Sequence, residues 1–245
     1  TARPFTTHHN ALDTDPVLRI ALELHLKRCL VGGLDRVYEM GRVFRNEGLS
    51  RRHNPEFTML EAYEAWTDLD GIMELTEAIF TAAGAAAAEH VGDAAVTFAA
   101  PFERARYLDL YEKFVGPVPG DDAALAALAE THGVDLDGPR GPKSFWTLFH
   151  DLFENCVEDQ LTGPVFVTDW PVALCPLAKV SPDNPEIAER FELFIGGMEL
   201  ANAFTELNDP QEQEARMAAQ VAAAAAAGDA EGPSEMDWDF VEALE

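Results

Sequence analysis

Apolar positions along the chain fall into runs of two periods. Asp15-Pro16 opens the first run, which carries Val17, Leu18, Ile20, Leu22, Leu24, Leu26, Cys29 and Leu30. The spacing predicts a helix over 22–30, with Gly32-Gly33 as its stop. Arg36 to Arg45 is β-branched and aromatic, and Glu56 to Trp66 repeats that character after a polar stretch from Asn46 to Pro55. Strand, long charged loop and strand predict an antiparallel pair. Asp70 is placed to cap a helix over 71–90, and a short hairpin strand is expected over 95–98. From 104 to 160 three amphipathic stretches (107–114, 122–132 and 144–161) are separated by Gly- and Pro-rich breaks, and the segment reads as a helical insertion. Residues 164–168 and 190–195 predict buried strands. Gly196-Gly197 predicts a turn and 198–204 a further strand. Asp209-Pro210 starts a helix that runs through Ala222–Ala227, and 236–245 opens another. The pattern is α+β: antiparallel strands with helices placed between them.

Composition narrows the class. Apolar residues make up 47% of the 245 and charged residues 25%, which excludes a wholly disordered chain. No apolar run of about 18 residues is present, so no transmembrane helix is expected. The start, Thr1-Ala-Arg-Pro-Phe, does not resemble a signal peptide and lacks Met, which points to residues removed upstream. Net charge is −27, the opposite of a protein that coats nucleic acid. Yet Arg19 to Arg52 holds eight basic side chains against four acidic ones, a local cationic stretch suited to a discrete anionic ligand. Surface pairing accounts for the same clustering equally well. Four of the seventeen cations are Lys, and Ala and acids abound, which suits either a saline habitat or a GC-rich genome. Cys29, Cys156 and Cys175 lie far apart without zinc spacing and read as reduced, buried thiols of a cytoplasmic protein.

The glycine-rich phosphate loops GxxxxGK[ST] and GxGxxG are absent, so a bound nucleotide would be held by side chains. Three clusters could supply them. Phe44-Arg45-Asn46-Glu47-Gly48 runs on through Arg51-Arg52-His53-Asn54-Pro55-Glu56-Phe57. An Arg at the end of a buried strand is costly unless an anion meets it, and a planar guanidinium grips phosphate or carboxylate bidentately. The alternative is a charged surface hairpin stapled by its own ion pairs. Glu192 and Glu199 flank the Gly196-Gly197 turn, where paired strands would bring them face to face. Two carboxylates among apolar residues then call for a cation such as Mg²⁺, unless both are exposed strand positions. Asn202 and Glu206, joined by Glu23, Glu61 and Tyr63, would favour a small cationic ligand if the fold gathers them. His8-His9 reads as a hydrogen-bonding loop rather than a metal pair, and no Ser/His/Asp or Cys/His nucleophile arrangement is present.

The run Arg42-Val-Phe-Arg45-Asn-Glu47-Gly, with Arg52-His53-Asn54-Pro55-Glu56-Phe57-Thr58-Met59-Leu60-Glu61, closely resembles the second signature motif of class II aminoacyl-tRNA synthetases. Phe5-Thr-Thr-His8-His9-Asn10-Ala-Leu-Asp13 and the segment from Arg190 to Pro210 narrow the resemblance to the lysyl-tRNA synthetases. It covers nearly the whole chain and is weakest over 83–160. It implies a partial class II catalytic domain over 1–245, an antiparallel β-sheet flanked by helices with an insertion at 104–160. It also implies ATP-dependent activation of lysine to lysyl-adenylate and transfer to the 3′ end of tRNA(Lys).

Carried over residue by residue, Arg45 would hold the ATP α-phosphate and the lysine carboxylate and act in catalysis. Glu47 would face the adenine amino group or ribose, His53 and Asn54 would contact phosphates and adenine, and Phe57 would stack on adenine. Glu192 and Glu199 would ligate Mg²⁺ on the phosphates. Glu61 would bind the α-amino group, Asn202 the carboxylate, and Glu23, Glu206 and Tyr63 the ε-ammonium. Leu22 stands where the family usually has Pro, and Met198 where it usually has Arg. The anticodon-reading barrel, the first motif that builds the homodimer interface and the third motif find no counterpart here. The resemblance therefore implies a fragment of a dimeric full-length protein. Two other readings remain open on sequence: a shortened paralogue that lysylates a translation elongation factor, and a non-catalytic synthetase-like binding module.

Overall fold

The apolar runs of the first 66 residues become one helix and one hairpin. Helix α1 spans Glu23–Val31. Strands β1 (Arg36–Phe44) and β2 (Glu56–Glu64) pair antiparallel from Arg36↔Glu64 to Phe44↔Glu56 with no break in register. Gly33 turns the chain out of α1 at φ 93, a left-handed value that costs glycine nothing. One face of the hairpin packs Val37, Val43, Phe57, Met59 and Tyr63 against Leu22 and Leu26. The other face leaves Tyr38, Met40 and Leu60 exposed.

This computed structural model describes residues 4–46, 53–92, 96–138, 141–175, 178–226, 236 and 238–244. The chain divides into two units, Thr1–Thr67 with Asn208–Glu245, and Asp68–Leu207. In the first unit the hairpin is joined by α6 (Pro210–Ala226) and α7 (Trp238–Leu244), and α7 packs on both α1 and α6. Asp209 caps α6 by accepting from the Gln211 and Glu212 N–H groups at 2.9 and 3.1 Å. Pro210 occupies the first helical position, where its missing N–H costs nothing.

The second unit opens with α2 (Leu69–Val91), whose cap is Asp68, not Asp70: the Asp68 carboxylate accepts from the Gly71 N–H at 2.9 Å. Asp70 sits inside the first turn and pairs with Arg104 at 2.7 Å. There follow β3 (Glu103–Arg106), α3 (Tyr107–Phe114), α4 (Asp122–His132), the short pair β4 (Asp137–Gly138) and β5 (Gly141–Pro142), and α5 (Phe145–Cys156). Next come β6 (Val165–Thr168), β7 (Trp170–Pro171), β8 (Ile187–Ala188), β9 (Arg190–Phe194) and β10 (Glu199–Phe204).

Strands β10, β9, β6 and β3 lie side by side in one sheet. Phe166, Phe191 and Leu193 face Met73, Phe80 and Phe98 on one side. Val165, Val167 and Phe194 join Tyr107, Phe149, Phe153 and Trp170 on the other. Burial on both faces explains why β9 reads as an apolar run interrupted by Glu192. Burying each of these large side chains contributes about 1.5–3 kcal/mol.

Three expectations need correction. Residues 96–98 form no strand and Ala95 lies outside the described residues; Phe98 packs edge-on against Phe80 at 5.9 Å, and the strand lies at Glu103–Arg106. The sheet is mixed rather than antiparallel, because β3 pairs parallel with β6. The helix expected over 144–161 ends at Cys156, followed by a 3-10 turn over Glu158–Gln160. Cys175 is buried as expected, whereas Cys29 and Cys156 are half-buried, and none of the three is in a disulfide. Among the described residues no helix is long and apolar enough to cross a membrane.

Candidate active site

The predicted site residues divide between the two units. Glu23, Arg45, His53, Asn54, Phe57, Glu61 and Tyr63 belong to the first; Glu192, Glu199, Asn202 and Glu206 belong to the second. Glu47 lies outside the described residues.

In the first unit, β1 ends just before Arg45. Its Nε donates to the Ile20 carbonyl at 3.2 Å, and its guanidinium lies 5.3 Å from the centre of the Phe57 ring. Strand period puts Phe57, Glu61 and Tyr63 on the hairpin face that meets α1. Glu61 uses both carboxylate oxygens: one accepts the Leu22 N–H at 3.1 Å, the other the Tyr63 hydroxyl at 2.9 Å. Leu22 is buried, and its amide is a donor that Pro could not supply. Glu23, in the first turn of α1, is bonded to Lys27 one turn later. The Lys27 Nζ lies 5.9 Å from the centre of the Tyr63 ring. Glu23, Glu61 and Tyr63 are thus gathered around the start of α1, with Lys27 in the same network. His53 and Asn54 are exposed, just before β2. The surface-hairpin reading also holds in part, since Arg42 pairs with Glu56 at 2.9 Å and Arg36 with Glu64 at 2.6 Å. His8 and His9 make local loop bonds, to the Asp15 carboxylate at 2.8 Å and from the Leu12 N–H at 3.2 Å.

In the second unit, Glu192 does not face Glu199. The Gly196-Gly197 turn sets Phe194 opposite Glu199, and a bulge between Glu199 and Ala201 then sets Glu192 opposite Asn202. The Asn202 amide nitrogen lies 3.4 Å from a Glu192 carboxylate oxygen, and its oxygen accepts from the Arg190 Nε at 3.3 Å. Glu192 is buried and ion-paired with Arg190, while Glu199 is exposed. Burial, with the Glu199 and Glu158 carboxylates nearby, pushes the Glu192 carboxyl up to about 8, against the pull of Arg190. Arg190 itself stays charged: its guanidinium lies 4.4 Å from the centre of the Trp170 ring, and although burial works against its charge, Glu192, Cys175 and Glu199 together raise its pKa above the ordinary value. Glu206 is half-buried in an isolated bridge with Ala178. Met198 lies exposed after the turn.

Sequence reasoning passed over Arg190 and Lys27. Both were findable: Arg190 shares a strand face with Glu192 two residues on, and Lys27 shares a helix face with Glu23 four residues back.

Chemically, the first unit offers a guanidinium beside an aromatic ring and a pair of positioned carboxylates near a phenol. The second offers a buried carboxylate with an amide and a guanidinium around it. The family profile described as tRNA synthetases class II (D, K and N) matches residues 1–245. The chain belongs to the class II tRNA synthetase family. Within it, the chain is 48% identical to the lysine–tRNA ligase of Pediococcus pentosaceus over 260 residues, covering 100% of this chain and 49% of that protein. It is 46% identical over 253 residues to that of Staphylococcus aureus and 48% over 256 residues to that of Moorella thermoacetica, covering 100% of this chain and 50% of each. It spans about half the length of these relatives.

Proposed function

We propose that the protein activates L-lysine with ATP to lysyl-adenylate and transfers the lysyl group to the 3′ end of tRNA(Lys). The observation that carries this reading is Glu61, held at both oxygens by the Leu22 N–H and the Tyr63 hydroxyl beside Glu23. Carboxylates fixed before the ligand arrives suit an amino acid with two ammonium groups and reject a neutral side chain of equal length.

In the reaction, a lysine carboxylate oxygen attacks the α-phosphorus of ATP and the bond to the bridging oxygen breaks, releasing pyrophosphate. A hydroxyl of the terminal tRNA ribose then attacks the lysyl carbonyl, and AMP leaves. No side-chain nucleophile is required. Arg45 binds the α-phosphate and the lysine carboxylate and stabilises the charge that grows on phosphorus. Phe57 stacks on adenine once Arg45 turns to the phosphate. His53 and Asn54 contact phosphates and adenine, and Glu47 faces the adenine amino group or ribose. Glu61 holds the α-amino group and Asn202 the carboxylate; Glu23, Tyr63 and Glu206 receive the ε-ammonium.

Glu192 and Glu199 suit Mg²⁺. They are hard oxygen donors, and burial, followed by the Glu199 and Glu158 carboxylates, raises the Glu192 carboxyl, so that a cation beside it would favour its charged form. Bound there, Mg²⁺ supplies neutralisation of phosphate charge. The chain forms part of a class II catalytic domain, with 104–160 inserted in it. The full-length protein is a cytoplasmic homodimer that meets the acceptor end of tRNA.

The test is ATP–pyrophosphate exchange on the full-length protein with each of the twenty amino acids. Exchange with lysine alone is expected, and Arg45→Ala is expected to lower its kcat/KM about 100-fold or more without unfolding the protein. A folded, ATP-binding protein with no lysine-dependent exchange would overturn the reading and leave a binding module.

A further inference from the structure

Lys27 is one of four buried polar or charged residues among those described. Its ammonium is bonded to one carboxylate oxygen of Glu23 and lies 5.9 Å from the centre of the Tyr63 ring. These are two of the groups to which the proposed function assigns the substrate's ε-ammonium. The side chain is 9% exposed and that of Glu23 31%, so the inner partner of the pair is the lysine and the outer one the glutamate. Taking a buried ammonium away from its carboxylate gives up the attraction that offsets its desolvation. Lys27 therefore keeps its hold on Glu23 when a ligand arrives. The bond engages a single oxygen of Glu23.

We propose that Lys27 is a positioning residue for lysine recognition, fixing the Glu23 carboxylate with one oxygen turned to the substrate's ε-ammonium. This rests on the lysine-activating reading above. Lys27 also offsets part of the charge of Glu23. A Glu23 without this brace would sweep several rotamers, and each would have to be frozen on binding.

The test compares steady-state exchange by the full-length wild type, Lys27→Met, Glu23→Gln and the double variant. In Lys27→Met the lysine KM is expected to rise about 10-fold or more, with the ATP KM and kcat each within about 3-fold. In the Glu23→Gln background the same change is expected to move the lysine KM by less than about 2-fold, because its effect runs through that carboxylate. A merely structural role would shift the ATP KM and kcat alongside the lysine KM, and would add to Glu23→Gln. Either result would overturn the proposal, as would a lysine KM unchanged in Lys27→Met. If Lys27→Met does not fold, Lys27→Arg carries the test. Its wider, planar head displaces the carboxylate and is expected to raise the lysine KM about 3–10-fold with the ATP KM unmoved. An unchanged lysine KM there overturns the proposal. A wild type that exchanges with no amino acid, or with one other than lysine, overturns both this proposal and the functional reading. Lysine-dependent wild-type exchange with an insensitive Lys27 overturns this one alone.

Discussion

Leu22 gives Glu61 a hydrogen bond that proline could not, at the place where the lysyl-tRNA synthetase resemblance leads to an expectation of Pro. This departure thus changes how a candidate ligand-binding carboxylate is held. His150, at the centre of the second unit's aromatic cluster, shows a different residue-scale constraint. It meets the Tyr107 hydroxyl at 3.2 Å and the Trp170 ring edge-on at 5.7 Å. Burial and then Arg190 hold its pKa below the ordinary 6.5, while Asp151 pulls weakly the other way. The folded state therefore takes up a proton on His150 less readily than the unfolded chain, which does so below about pH 6.5. Its contribution is intact above that pH and is lost as pH falls. Urea unfolding at pH 7.5 and pH 5 is expected to show a smaller loss of stability in His150→Gln than in wild type. An equal loss in both would remove His150 as the cause. Arg45, Glu61 and Glu192 were legible in the sequence because charge within or at the end of an apolar strand stands out. Their partners were less so: the Ile20 carbonyl and Leu22 N–H are backbone groups, which no sequence pattern marks.

At the scale of elements, capping decides where α2 begins. Asp68→Ala is expected to cost about 1 kcal/mol in chemical denaturation, because the Gly71 N–H loses its acceptor. Asp70→Ala loses an exposed pair with Arg104 and is expected to stay within about 0.5 kcal/mol. The reverse order would return the cap to Asp70. Both residues are Asp and only two positions apart, so sequence alone could not separate them. Strands with inward apolar residues, β1, β2, β6 and β9, were legible from pattern. Strand β3 was not: Glu103-Arg104-Ala105-Arg106 carries no apolar alternation, and its extended state follows from parallel pairing with β6, some sixty residues later. The facing of Glu192 by Asn202 was also hidden, because a single bulged residue changes the register and leaves no compositional trace.

At the scale of the whole molecule, a net charge of −27 predicts self-repulsion that salt relieves. The melting temperature is expected to rise by several degrees between about 0.1 and about 1 M KCl, since the Debye length falls from about 10 to about 3 Å. A flat or falling curve would assign the acidic composition to genome bias. The α+β class could be read from the order of elements, but the division into units could not. It depends on α7 returning to pack on α1, a contact between the two ends of the chain. That return sets a schedule for synthesis. The Thr1–Thr67 part of the first unit is made before the 140 residues of the second unit, Asp68–Leu207, and the Asn208–Glu245 part after them. At about 5–20 residues per second the newborn hairpin waits on the order of ten seconds or more for α6 and α7. The unit encoded in the middle is complete before the one that encloses it in sequence. The ribosome thus delivers the second unit while α1 and the hairpin are still without α7.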